Sequence, residues 1–553
     1  MEKTRSIKEF EEYVFKGYWG NQVLGDLFDF TVRDYPERIA LVEGEKRVTY
    51  HQFGKMVNRL CFKLLEMGIG KGDFIIILLP NCVEFAFFHY AAAKIGAVAI
   101  PMVSTQQIHE VRYAVNLLQA RTLIISSGLT KTDFVQMAGQ LRNEFPFLKN
   151  VIAVGESTSG SDIIPFQRLM LDPSTREENQ ADIQRFRPKG ADLLRIIFSA
   201  GTTGTPKAMM RTHNDTIANL KWDYVFHDWG ENLLLLFPLG HSTGFVASLD
   251  LQVYLGNQIT LVPGKFNPEE VFGLIEKEKV TSVYLPTPLL FSIAEALENR
   301  PTLAHEYNLR SLRKISFGGA QAPAYVIRTV KEAIGRPVLQ TWGMGEGPAT
   351  SSLVTDPPYV QTNTIGKIQC PDGEVKVIGE NGQEVPTGQP GELICKGPFL
   401  FAGYYNDPEL TQRSFDEEGY FHTGDKVILD HLGNIKIVGR LKDIIRRGGE
   451  PISPAEIEEL IERHDKVREV AVVAMPDKKM VEKVCAYIVP KADCVLTFDE
   501  IISFLRGKGI ANFKLPERIE FIDQLPRGDQ KKNVLKKVLR DDITNKLKAE
   551  GKI

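Results

Sequence analysis

Alternation is the feature that most constrains this chain. Short apolar runs of strand character lie at Leu193–Phe198, Asn232–Phe237, Gln258–Val262, Ser282–Leu285 and Lys314–Phe317. Helical patterns fall between several of them, such as Pro268–Lys279, where Val271, Leu274 and Ile275 share one face. A sequence of this kind predicts an α/β fold, a large multi-lobed N-terminal body of largely parallel sheets covered by helices. In such sheets ligands bind beyond the carboxyl ends of strands. The loops that follow strands are therefore the places to look for chemistry. The chain has 553 residues, or about three to four domain-sized units at roughly 150 residues each.

The last hundred-odd residues read as a separate, small α+β unit. Ser453-Pro454-Ala455-Glu456 has the form of a capping box with Pro at the first helical position, followed by the stripe Ile457, Leu460, Ile461. Val467–Ala474, Val484–Val489 and Arg518–Ile522 read as strands. Thr497-Phe498-Asp499-Glu500 is a second capping box, opening a helix through Arg506. A junction is expected near Gly439–Asp443, dividing the chain into 1–440 and 441–553.

Composition excludes several classes. Lys and Arg total 67 against 70 Asp and Glu, a formal net charge of -3. A dedicated nucleic-acid binder would carry a basic excess. Six cysteines form no CxxC pair, so a disulfide framework or zinc site is not expected and a reducing compartment is. The most apolar stretch, Phe74–Val103, is interrupted by Pro80, Asn81, Glu84, His89 and Lys94, which argues against a membrane span. The charged start MEKTRSIKEFEEYVF has no signal-peptide core. A cytoplasmic protein is the expectation, with monomer and homodimer both open.

The most informative segment is Ser199-Ala-Gly-Thr-Thr-Gly-Thr-Pro-Lys207, directly after the strand Leu193–Phe198. Its glycines permit close backbone approach, its threonines supply hydroxyls and Lys207 a cation, a combination able to wrap a polyphosphate. The spacing is not that of a Walker A loop.

This string resembles the phosphate loop of the adenylate-forming enzymes: acyl-CoA ligases, peptide-synthetase adenylation domains and luciferases. Further segments resemble that family's motifs in its order. They are Gly318-Gly319-Ala320, Thr341-Trp342-Gly343-Met344-Gly345-Glu346, Phe401–Asn406 (FAGYYN), Tyr420–Asp425 (YFHTGD), Gly439–Asp443 (GRLKD) and Arg446–Glu450 (RRGGE). Within the family the likeness is greatest to aryl-acid ligases of the 2,3-dihydroxybenzoate–AMP ligase type. It is carried by Gly17-Tyr18-Trp19, Gly25-Asp26-Leu27, Met210–Asp215 (MRTHND) and Gly343–Glu346.

The resemblance implies ATP-dependent activation of a carboxylic acid to an acyl-adenylate, then transfer to a thiol. It implies that Ser199, Gly201, Thr202, Thr203, Gly204, Thr205 and Lys207 hold the phosphates, and that Glu346 binds Mg²⁺. Gly318, Gly319, Ala320, Trp342, Gly343 and Met344 would border the adenine, with core packing the alternative for Trp342. Asp425, assisted by Arg440, would take the ribose hydroxyls. His422 and His213 read as scaffolding. The family turns its small C-terminal domain between the two steps, with the pivot at the position of Lys442. Gly449 matches the small residue beside the pantetheine arm. The adenylation lysine is assigned to Lys532, with Lys531 the alternative, because one residue is inserted between Pro526 and Leu539-Arg540.

The acid pocket resembles the family's at His241–Gly244 and Phe317–Ala320. Ser242 and Ala247 stand where dihydroxybenzoate enzymes carry Asn and Ser. Losing an amide and a hydroxyl removes partners a catechol needs, and an unpaired buried hydroxyl costs about 1–3 kcal/mol. The expected substrate is a less hydroxylated aromatic, an alicyclic or a medium-chain acid. No carrier domain follows Arg540, and the altered pocket favours coenzyme A as the acceptor. The alternative is a phosphopantetheine carrier protein in siderophore-type biosynthesis.

Overall fold

The computed structural model describes residues 7–156, 162–171, 183–199, 206–226, 230–262, 264, 266–368, 370, 372–440, 444–491, 494–527 and 534–553. It is a mixed α/β molecule with a large N-terminal body and a smaller C-terminal domain. Two sheets dominate the body. The first has seven strands, and the run from Phe74 to Val103 explains its core. Phe74–Leu78 and Val98–Pro101 pair in parallel, joined by the helix Val83–Ile95. That helix is buried on every side, as a helix apolar all round must be. Leu193–Ser199 lies next to Val98–Pro101 in parallel, and the strand Lys207–Thr212 then closes that edge in the antiparallel sense.

The second sheet has eight strands. Asn232–Leu235, Gln258–Leu261, Ser282–Pro286, Lys314–Gly318 and Val338–Gly343 run parallel in it, and antiparallel strands end it on both sides. All five apolar runs read from the sequence are strands, and the expected helix is Pro268–Glu278, capped by the Asn267 side chain.

A third sheet is wholly antiparallel, where the strand–helix alternation predicts largely parallel sheets. It comprises Glu374–Ile378, Pro390–Lys396, Phe421–Leu429 and Ile435–Arg440. Its strands are half-exposed and alternate apolar with polar residues, as in Glu374-Val375-Lys376-Val377, so they lack the continuous apolar runs of the buried parallel strands.

In the C-terminal domain the long strands Val467–Asp477 and Val481–Pro490 pair antiparallel, and Arg518–Phe521 joins them in parallel. Helix Pro454–Glu462 packs on Val467–Asp477. Ser453 accepts the Glu456 N–H at 3.4 Å, but the reciprocal half of each expected capping box is missing. Glu456 turns its carboxylate to Lys514, and Glu500 turns to Lys466. Ion pairs outcompeted the local backbone bond in both cases. Among the described residues no helix is long and apolar enough to cross a membrane.

Candidate active site

The carboxyl ends of the parallel strands meet around two adjoining cavities of about 400 and 190 Å³. The loops after Asn232–Leu235, Lys314–Gly318 and Val338–Gly343 supply His241, Ala320, Gly343 and Met344 to the larger. The first sheet supplies Ser199 and Lys207 to the smaller, which Glu346 also lines. Ser199 and Lys207 are register partners across antiparallel strands, so the intervening loop starts and returns at one point. Gly201, Thr202, Thr203, Gly204 and Thr205 lie outside the described residues, as do Lys442, Lys531 and Lys532. His241, Ser242, Gly343, Met344 and Arg446 line both cavities, so the two share a throat.

Glu346 is a buried carboxylate, 6% exposed. Its Oε1 accepts the Tyr404 O–H at 2.9 Å, and its backbone carbonyl accepts the Phe401 N–H. It takes part in no ion pair among the described residues. Lys207 lies over the Tyr404 ring, 5.0 Å from its centre. Burial and the Glu346 charge push the Tyr404 hydroxyl well above its usual range, so it stays a donor. Tyr404 was not among the residues expected at the site, although FAGYYN contains it. The segment around it is fixed because Ala402 and Tyr405 donate to Met210 and Ala208, and Met210 donates to Gly403. A buried carboxylate with a neutral donor and no ion-pair partner among the described residues suits a hard divalent ion such as Mg²⁺.

Asp425 is 2% exposed, on the strand Phe421–Leu429, and pairs in register with Arg440. Its Oδ2 accepts the Trp342 indole N–H at 2.9 Å. Trp342 therefore orients a carboxylate as well as lining the larger cavity, while its ring packs against the cluster of Ile365, Val377, Leu393, Val427 and Ile435. His422 meets Glu392 at 3.1 Å, and Glu392 also accepts the Gly424 N–H, which steadies the turn before Asp425.

The Gly318–Ala320 loop is clamped from below. Thr287 Oγ1 donates toward the carbonyls of Gly318 and Ala320 at 2.9 and 2.7 Å. Gly319 has φ +93°, which L side chains rarely adopt, and a Cβ there would come 2.8 Å from the Gly449 Cα. Gly449 has φ +97°, and a Cβ there would come 3.2 Å from the Gly319 Cα. It sits in the hairpin formed by Ile445–Arg447 and Glu450–Ile452, whose Arg446 reaches the shared throat. The C-terminal domain thus touches the site through a glycine-on-glycine contact.

His241 Nδ1 accepts the Thr243 N–H at 3.2 Å, so a neutral ring carries its proton on Nε2. Burial lowers its pKa and keeps it neutral. Gly244 continues into a turn of π-helix, Phe245–Asp250, whose Val246 lines the larger cavity. Nothing is described of the Ala247 side chain.

The MRTHND segment is structural. Arg211 pairs with Asp215 and donates to the Gly345 carbonyl at 3.1 Å, which fixes the loop leading to Glu346. His213 accepts the Leu24 N–H, and Asn214 accepts the Gly20 N–H. The chain between Gly17-Tyr18-Trp19 and Gly25-Asp26-Leu27 is thus bonded to Met210–Asp215, which joins three of the four segments that carry the aryl-acid likeness.

Comparison with known proteins agrees with this architecture. Residues 28–405 match the model of the AMP-binding enzyme family, and residues 456–532 match that of the AMP-binding enzyme C-terminal domain. The chain belongs to the adenylate-forming AMP-binding enzymes. It is 32% identical over 560 residues to the medium-chain fatty-acid–CoA ligase of Escherichia coli (strain K12), covering 99% of this chain and 95% of that one. It is also 32% identical over 542 residues to the 2,3-dihydroxybenzoate-AMP ligase of Bacillus subtilis (strain 168), covering 98% and 97%. Among solved structures, the amide bond synthetase McbA from Marinactinospora thermotolerans shares the fold, with a TM-score of 0.80 at 24% identity over 94% of this chain and 99% of that one. The protein is an ATP-dependent acid ligase of the acyl/aryl-CoA ligase family.

Proposed function

We propose that the chain activates a less hydroxylated aromatic, an alicyclic or a medium-chain carboxylic acid and passes it to the thiol of coenzyme A. In the first step a carboxylate oxygen attacks the α-phosphorus of ATP, the α–β bridging P–O bond breaks and pyrophosphate leaves. In the second a thiol attacks the adenylate carbonyl, a C–S bond forms, the C–O bond to phosphate breaks and AMP leaves.

The observation that carries this reading is the shared throat. Asp425 and Trp342 border the larger cavity, the side assigned to the nucleoside. Ser199, Lys207 and Glu346 border the smaller, on the phosphate side. A reacting acyl-phosphate would lie between them, beside His241, which lines both. Glu346 would hold Mg²⁺, which supplies charge neutralisation at the phosphates. Lys207, the 201–205 loop and Lys532 would position and neutralise those oxygens, work that is placement and electrostatics rather than covalent catalysis. The Asp425 carboxylate would accept ribose hydroxyls, kept in line by the Trp342 N–H. The division into 1–440 and 441–553, with Lys442 as pivot and Gly449 beside the arriving thiol, belongs to the same reading.

The mixed polar and apolar wall, with Val246 and Tyr284 beside Ser242 and Gln340, suits an acid with few ring hydroxyls. ATP–pyrophosphate exchange over a panel of aromatic, alicyclic and fatty acids tests this, followed by coenzyme A or a carrier protein as acceptor. Exchange confined to 2,3-dihydroxybenzoate, with transfer only to a carrier, overturns the substrate and acceptor assignments.

A further inference from the structure

The C-terminal domain is joined to the body by a second contact, far in sequence from the Arg446–Glu450 hairpin. Lys514 stands on the turn Asn512–Lys514 and is 6% exposed. Its Nζ lies 3.0 Å from Glu110 Oε1 and 2.7 Å from Glu456 Oε1. Glu456 belongs to the same domain as Lys514. Glu110 belongs to the body, on the helix Ile108–Leu118, and is itself 6% exposed.

Both carboxylate oxygens of Glu110 are engaged. Its Oε2 takes the Gln107 N–H at 2.9 Å, capping its own helix. Its Oε1 takes the Ala511 N–H at 3.0 Å as well as Lys514. Beside it the His109 N–H donates to the Gly509 carbonyl at 3.2 Å. Gly509 has φ +73° and abuts Ile108 closely enough that a Cβ would overlap its side chain. Burial opposes the charge on Lys514, but Glu110 and Glu456 together hold its pKa above the ordinary lysine value. A buried cation between carboxylates of two domains is a directional contact, since either carboxylate alone leaves the charge less well paired.

We propose that Glu110 is a positioning residue for thioester formation: by docking Lys514 and the Ala511 N–H it holds the C-terminal domain in the orientation that sets Gly449 against Gly319. The proposal rests on the two-step reading above. When the domain turns for adenylation, Lys514 keeps Glu456 and leaves Glu110 behind. Glu110 therefore biases one orientation without being needed for the fold of either domain.

The test is Glu110→Gln in the full-length enzyme, with the two half-reactions measured separately. Gln can still accept the Gln107 N–H, so the helix stays capped. Thioester formation from supplied adenylate is expected to fall about tenfold or more while pyrophosphate exchange stays within about threefold. The conservative Glu110→Asp keeps the carboxylate and its charge beside Lys514 and is expected to lose less than Glu110→Gln. Dyes on exposed Leu129→Cys and Val538→Cys report the domain orientation independently of activity. Their distance distribution is expected to broaden in Glu110→Gln. Equal loss of both half-reactions, no loss, or an unchanged distribution overturns the proposal. A wild type silent in exchange removes the two-step reading instead, and the dye distances still decide whether Glu110 docks the domain.

Discussion

The body and the C-terminal domain build opposite walls of one site by different means. The body wall is wired from within. Asp425 is held by Trp342, Glu346 by Tyr404, and the Gly318–Ala320 loop by Thr287. Trp342 sits on a strand and Thr287 on a helix of the same body, and Tyr404 is bridged to Met209 of the strand Lys207–Thr212, so none of these bonds involves the small domain. The C-terminal wall consists of the hairpin at Gly449, held in place by the glycine contact and by the Glu110–Lys514–Glu456 cluster. A surface pair, Lys479 with Glu295 at 2.8 Å, adds little, since exposed pairs contribute about 0–1 kcal/mol. On the two-step reading proposed above, the adenylate-binding groups are permanent, whereas the thiol-side groups are brought in by a contact that can be released.

The largest expected effect sharpens this contrast within the C-terminal domain. Lys532→Ala is expected to slow adenylation by about a thousandfold or more, as loss of a transition-state charge partner does, while thioester formation from supplied adenylate survives. Stopped-flow assays of each half-reaction check it. Equal loss of both would erase the division of labour. Gly449→Leu reverses the pattern. A side chain at φ +97° and against Gly319 displaces the hairpin, so thioester formation falls about a hundredfold and exchange is spared.

On the body wall, Trp342→Phe keeps the ring and removes the N–H to Asp425. Losing a hydrogen bond to a charged group costs about 1.5–3 kcal/mol, so KM for ATP is expected to rise at least about tenfold in steady-state kinetics. The smallest effect concerns stability. Burial holds the His213 pKa at about 3, against an ordinary 6.5. The folded chain binds fewer protons there than the unfolded chain, so this contribution is full above pH 6.5 and is lost as pH falls toward 3. Denaturant titrations from pH 7 to 5 are expected to show up to about 1.4 kcal/mol of lost stability per pH unit from this group. His213→Asn should flatten that slope, and an unchanged slope would refute the assignment.

The same contrast governs what the sequence revealed. Buried parallel strands such as Leu193–Ser199 and Lys314–Gly318 write themselves as apolar runs, and the loops behind them follow by topology. The half-exposed antiparallel sheet from Glu374 to Arg440 writes no such pattern. Trp342 was legible as a site residue, but its bond to Asp425 spans 83 positions and has no local signature. The spacing of Glu456 from Ser453 predicts a capping box. The actual partner of Glu456, Lys514, lies 58 residues on, and only the tertiary fold brings the two together. Tyr404 was inside a recognised motif, yet its O–H to Glu346 depends on the strand Lys207–Thr212 lying between.

The central claim is that the orientation described serves thioester formation and excludes adenylation. Linking Lys479→Cys to Glu295→Cys with a short bis-maleimide locks that orientation across the surface pair. The locked enzyme is predicted to lose ATP–pyrophosphate exchange while still forming thioester from supplied adenylate, with reversal when the link is omitted. A locked enzyme that keeps full exchange would contradict the account.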